Sequence, residues 1–154
     1  MPRRSISVPH YPQERDNSCL PACVRMALAF YGTYKPEDGL RHLFKTKGFG
    51  THVFNVMLNL PALGYTATVE TGTLYDIRQL ITQGRPGIVH LWTEWLSYWK
   101  PTIVMHSVVV VGFDEDIILV NDPAFQDAPQ RVPMGEFLRA WAAADHILTR
   151  IERA

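Results

Sequence analysis

Apolar residues recur along this chain with two periods, and the switch between them separates a helical first half from a strand-rich second half. From Leu20, the positions Leu20, Cys23, Val24, Ala27, Leu28 and Tyr31 follow the i, i+3, i+4, i+7, i+8, i+11 spacing of one helix face, with Arg25 near the opposite side. Asn17 or Ser18 can cap this helix, Pro21 fits a first turn where its missing N–H has no intrahelical partner, and Gly32 ends it. "KPEDGLRHLFKT" predicts a short helix begun by Pro36, and "THVFNVMLNLPALG" a second, capped by Thr51 and ended around Pro61 and Gly64. "YTATVE" alternates as a strand, "TGTLYDIRQLITQGRP" is a helix capped near Thr71 or Thr73, and "GIVHLW" is again a strand. After the loop "TEWLSYWKP", the β-branched runs "MHSVVVVGF" and "IILVND" joined by "DED" predict a hairpin. "VPMGEFLRAWAAAD" is a last helix and "HILTRIE" a last strand.

Helices first and strands later is the order of an α+β domain. At 154 residues, without an internal repeat or a linker-like tract, the chain is expected to form a single domain over 1–154. Fifteen Lys and Arg balance fifteen Asp and Glu, which argues against nucleic acid or anionic lipid as partners. No window is apolar enough to enter a membrane, and "MPRRSISVPH" lacks the apolar core of an export signal, so a cytoplasmic location is expected. Two cysteines four residues apart make no disulfide framework, in keeping with a reducing compartment. A structural zinc site needs four ligands and no second cysteine pair exists; the thiol chemistry weighed below needs neither a metal nor an organic cofactor, so none is inferred.

Cys19 falls at the first turn of the first helix, at the edge of its apolar arc, where free N–H groups and the helix dipole favour a thiolate. Cys23, one turn further on, reads as core. Of six histidines, His106 stands out because it begins a hydrophobic strand whose returning partner ends in "NDP". If "DED" is a three-residue loop with Phe113 opposite Ile117, Asp122 comes opposite Val108, on the sheet face of His106. A carboxylate there can hold the imidazole in one tautomer and orientation. A slip of one residue would turn Asp122 away and leave Asn121 for that task. Gln13, six residues before Cys19, can join the Cys19 N–H in stabilising an oxyanion. His90 reads as a core histidine and Trp141 as core; His42, His52 and His146 read as surface or boundary residues. Trp92, Trp95 and Trp99 either line a groove or cover the sheet.

The order Gln13, Cys19, His106, Asp122, with "SCLPACVRM" entering a helix that ends "AFYG" and "HSVVVVGFDEDIILVNDP", closely resembles papain-like peptidases related to bacteriocin-leader-processing, double-glycine peptidases. The resemblance covers nearly the whole chain. It implies a papain-like fold with an N-terminal helical lobe and a C-terminal antiparallel sheet lobe. It also implies a cysteine peptidase in which Cys19 is nucleophile, His106 base, Asp122 orienter and Gln13 oxyanion donor. Leu20 stands where many relatives have glycine, adding a side chain where substrate backbone would approach. Leader-processing relatives are usually fused to an exporter, so the expected partners are a peptide or protein substrate and a separately encoded exporter. Two other functions fit the same residues: a catalytically silent leader-binding module, and a thiol-dependent amidase or acyltransferase.

Overall fold

The run "HSVVVVGF" is too uniformly apolar for a strand with one face in water, and it becomes the central strand, covered on both sides. The computed structural model describes residues 4–154. The elements are β1 (Arg4–Ser5), α1 (Cys19–Phe30), α2 (Glu37–Leu43), α3 (Val53–Asn59), β2 (Tyr65–Thr71), α4 (Leu74–Thr82), β3 (Gly87–Trp92), β4 (Met105–Phe113), β5 (Ile117–Asn121), β6 (Gln130–Pro133), α5 (Met134–Ala142) and β7 (Ile147–Arg153). The strands pair antiparallel in the order β2-β7-β3-β4-β5-β6, and β1 pairs with β4 past the point where β3 begins.

Side-chain alternation on β4 divides the interior. Val109 and Val111 pack with Cys23, Val24, Leu28, Phe44 and Leu60 from the helices of the first half. Val108 and Val110 pack with Ile77, Leu80, Phe137 and Trp141 from α4 and α5. The predicted face of α1 is the buried one: Leu20, Cys23, Val24, Ala27 and Leu28 all lie in the first cluster. Each such aliphatic side chain contributes roughly 1.5–3 kcal/mol on full burial. This is the α+β, papain-like arrangement implied by the resemblance, with the addition that α4 and α5 cover the sheet's second face.

Local details depart from expectation where long-range contacts outbid the nearest sequence signal. Ser18 precedes α1 but makes no side-chain cap. Its hydroxyl accepts the Arg15 N–H at 3.0 Å and lies 3.1 Å from Glu37 Oε1. His52, not Thr51, caps α3, its Nδ1 accepting the Phe54 N–H at 3.2 Å, while the Thr51 hydroxyl pairs with Thr46 at 2.6 Å. Thr73 and Asp76 form a reciprocal capping box on α4. Strands β1 and β6 were not foreseen, being too short to show a period.

The hairpin register is the instructive departure. Phe113 faces Ile118, not Ile117, and Gly112 faces Leu119. A bulge at Val111 then shifts the ladder by one residue, so that Val110 faces Val120 and Val109 faces Asn121. One step further, Asp122 is level with Val108, as expected, although the turn that leads there is not the expected one. Without the bulge, Asp122 would sit opposite the other face of β4.

Candidate active site

The site is assembled where α1 begins, β4 begins and β5 ends. Cys19 is the first residue of α1, and it lines the same cleft as His106, the second residue of β4. His106 Nε2 lies 2.6 Å from Asp122 Oδ1, just past β5. With Nε2 taken by the carboxylate, Nδ1 is the ring nitrogen left to serve the sulfur. His106 is 4% exposed and Asp122 fully buried.

The carboxylate is held from several directions. Asp122 Oδ2 accepts hydrogen bonds from Tyr98 O–H at 2.7 Å and Trp99 Nε1–H at 2.8 Å, and Oδ1 also accepts the Ala124 N–H at 3.0 Å. The Trp99 ring lies over His106, with centroids 4.7 Å apart. Asn121, the alternative orienter, points elsewhere and donates to the Val8 carbonyl at 3.0 Å.

Burial works against every charge here, and the neighbours reverse it. Burial pushes the Cys19 thiol up, but the His106 hydrogen bond and charge, with the N–H and hydroxyl of Ser107, bring it below its ordinary value. Burial pulls His106 down, but Asp122 and Cys19 together raise it to about 9. Asp122 is likewise lowered, against burial, by His106 and its N–H donors. The combination favours a thiolate–imidazolium pair beside a carboxylate. Cys23 is the contrast: full burial, with the charges of Cys19 and Asp122, raises its thiol well above the ordinary value.

Gln13 joins these residues along an open cleft of about 830 Å³ lined also by Cys19, His106, Trp92, Trp99 and Met105. One N–H of its side-chain amide donates to the Arg15 carbonyl at 2.7 Å. The amide has a second N–H for a ligand. Its backbone N–H donates to the Pro123 carbonyl at 2.7 Å, tying the loop before Cys19 to the residue after Asp122.

A model of the Peptidase_C39 like family matches residues 5–148. The chain belongs to that family. It is similar to the transport/processing ATP-binding protein ComA of Streptococcus pneumoniae, 28% identical over 135 residues, which are 86% of this chain and 17% of ComA. Among solved structures, a C39-like peptidase from Bacillus anthracis superposes with a TM-score of 0.79 at 16% identity, covering 100% of both chains. A double glycine motif protease from an AMS/PCAT transporter, solved with its leader peptide, gives 0.73 at 23% identity, covering 98% of this chain and 95% of that one. These likenesses carry the fold.

Two features of this C39-family chain bear on access to the sulfur. Leu20 is 2% exposed and packs in the cluster under α1, so its side chain points away from the cleft and does not crowd it. Trp92 and Trp99 line the cleft, while Trp95 does not and is 44% exposed. Trp99 thus does both things weighed from sequence, lining the groove and packing against the core on the sheet.

Sequence reasoning missed four contributors: Tyr98, Ser107, Glu37 and the hydrogen-bonding role of Trp99. Glu37 is fully buried; its Oε1 accepts the Glu14 N–H at 3.0 Å, and its Oε2 lies 3.1 Å from Arg41 Nε. It anchors the loop that delivers Cys19. A buried acid at the start of a short helix carries no periodic signal, and the donors to Asp122 come from a loop whose path is set only by tertiary packing. Among the described residues, no three or more His, Cys, Asp or Glu gather in an arrangement that could hold a metal ion. No helix among them is long and apolar enough to cross a membrane.

Proposed function

We propose that this chain is a cysteine peptidase working through Cys19, His106 and Asp122, with Gln13 as an oxyanion donor, on peptides cleaved at double-glycine-type sites. The observation that carries the reading is the His106 ring, held by Asp122 at 2.6 Å on one nitrogen, in the cleft it shares with Cys19, whose thiol it draws below its ordinary value. The Cys19 thiolate attacks the peptide carbonyl. The oxyanion is received by the Cys19 backbone N–H and the free N–H of the Gln13 amide. The His106 imidazolium then gives its proton to the departing amine, leaving an acyl-enzyme and a neutral ring. That ring takes a proton from water as the water attacks the thioester, and the acid and thiolate are restored. Asp122 stabilises the charged ring throughout.

Membership of the C39 family and the likeness to a double glycine motif protease solved with its leader make extended peptides with a Gly-Gly pair the first substrates to try. An exporter is the proposed partner, since the region similar to this chain is 17% of ComA, a transport/processing ATP-binding protein. The test is mass spectrometry of a peptide library containing such leaders, incubated with wild type and with Cys19→Ala. Cleavage C-terminal to Gly-Gly by wild type alone is expected. Equal cleavage by Cys19→Ala, or none by either alongside tight leader binding, would remove the peptidase reading.

A further inference from the structure

Tyr98 and Trp99, which hold Asp122, stand on the crossing between β3 and β4, residues 93–104, and not on a strand. The base of this crossing is closed on itself. The Thr93 N–H donates to the Val104 carbonyl at 3.0 Å, and the Thr93 hydroxyl accepts the Val104 N–H at 2.8 Å and donates to the Thr102 carbonyl at 2.8 Å. Leu96, fully buried, packs in the core around Trp141. At the tip the crossing is tied to another element. Ser97 is exposed, yet Glu136 of α5 takes both of its donors: Oε1 accepts the Ser97 N–H at 2.8 Å and Oε2 accepts its hydroxyl at 2.5 Å. An acid in the first turn of a helix ordinarily serves that helix; this one is turned to the loop, and α5 has no side-chain cap. Neither Ser97 nor Glu136 lines the cleft that holds Cys19.

We propose that Glu136 is a positioning residue for the reaction: its two-point grip on Ser97 fixes the turn from which Tyr98 and Trp99 pin one oxygen of Asp122, so that the other stays aimed at His106. The proposal rests on the peptidase reading in taking His106 and Asp122 as base and orienter. A carboxylate turns freely about its last bond, exchanging its two oxygens. Two donors from successive residues, at 2.7 and 2.8 Å on Oδ2, stop that rotation and leave Oδ1 for His106 Nε2 at 2.6 Å. Such bonds weaken steeply when stretched or bent, so moving Ser97 by about 1 Å loosens both at once. Asp122 is fully buried, and an oxygen left without donors there would turn toward other partners at the expense of His106. The same turn sets the Trp99 ring over His106, 4.7 Å between centroids, and edge-on to Phe125 at 5.4 Å. The Ser97 hydroxyl and N–H, with the Lys100 charge, hold the Glu136 carboxyl below its usual range, so the grip persists at neutral pH. No proton passes along this chain of contacts; Glu136 acts by geometry.

The test compares wild type, Glu136→Ala, Glu136→Gln and, as a control on the same helix, Arg139→Ala, an exposed position. Two readouts are taken: kcat and KM on a Gly-Gly leader peptide, and ¹⁵N–¹H spectra of the Trp99 indole N–H and the His106 Nε2–H. In Glu136→Ala, kcat should fall about fivefold with KM unchanged, because the lost contact lies outside the cleft. The Trp99 signal should move toward that of a free indole, and the His106 Nε2–H should exchange faster with water. Glu136→Gln presents an amide oxygen to the Ser97 N–H and an amide N–H to its hydroxyl, so it should recover most of the rate and both signals without the charge. Arg139→Ala should match wild type. Wild-type kcat and unmoved signals in Glu136→Ala, with or without a lowered melting temperature, would overturn the proposal and leave Glu136 an ordinary helix-end acid. A Glu136→Gln variant as slow as Glu136→Ala would overturn it too. If the signals move in Glu136→Ala while wild type cleaves no peptide, the peptidase reading falls and the hold on Asp122 stands. If wild type cleaves and Glu136→Ala equals it in both readouts, the reverse holds.

Discussion

The Cys19 thiol and the His106 imidazole, each shifted toward its charged form by the other, set how the site answers to pH. His106 is raised to about 9, so it keeps its proton below that pH and loses it above. Cys19 sits below its ordinary value, drawn down by the His106 hydrogen bond and charge against its burial, so it ionises at a lower pH than a free thiol. Hydrolysis should therefore rise as Cys19 loses its proton, hold a plateau, and fall as pH passes about 9, where the leaving amine no longer finds a donor. The same sign applies to stability: the contribution of charged His106 is full below about 6.5 and is lost as pH rises through about 9. Asp122→Asn removes a charge-assisted hydrogen bond, and kcat/KM should fall about ten- to a hundredfold. Because the carboxylate is what lifts His106, the alkaline limb should also move to lower pH, which a pH–rate profile of the variant will show. Labelling at neutral pH should reach Cys19 well before Cys23, which is fully buried with its thiol raised.

At the scale of elements, the β4–β5 hairpin decides whether His106 and Asp122 can meet. Next to its bulge only glycine fits at 112: a Cβ there would lie 2.8 Å from the Arg4 carbonyl oxygen and 2.9 Å from both Leu119 Cδ1 and Ser5 Cβ. Gly112→Ala should cost about 1–3 kcal/mol of stability. It should also slow turnover by the fully folded fraction, because Asp122 shares the face of His106 only through that bulge. Thr73→Ala is the matched comparison, removing the α4 cap for about 1 kcal/mol. Since α4 packs on the sheet face away from α1, the catalytic rate per folded molecule should not change. Urea titration with active-site titration separates the two effects; similar turnover by both variants would refute the role given to the bulge.

For the whole molecule, the sheet joins two cores that share β4, one packed around Phe44 and one around Trp141, both fully buried. Phe44→Ala and Trp141→Ala should each cost about 3–5 kcal/mol. Because alternate valines of one strand serve both cores, each variant should still unfold in a single transition, with circular dichroism and tryptophan fluorescence coinciding. Two separated transitions would show that the faces fold independently.

Much of this was legible in advance because it is local. The period of "CLPACVRMALAF" determined the buried face of α1 and placed Cys19 at its first turn; β-branched runs determined β3, β4 and β5; and the order Gln13, Cys19, His106, Asp122 carried the resemblance to the family to which the chain belongs. Each of those depends on backbone geometry that repeats every few residues. What only the tertiary structure decided depends on contacts between distant segments. The bulge between Val110 and Gly112 lies beside the point where β1 joins β4, the donors of Tyr98 and Trp99 reach Asp122 because a loop folds back over the sheet, and Glu37 anchors the loop before Cys19. Ser107 and His90 meet because neighbouring strands bring distant residues level, a pairing no period in either segment encodes.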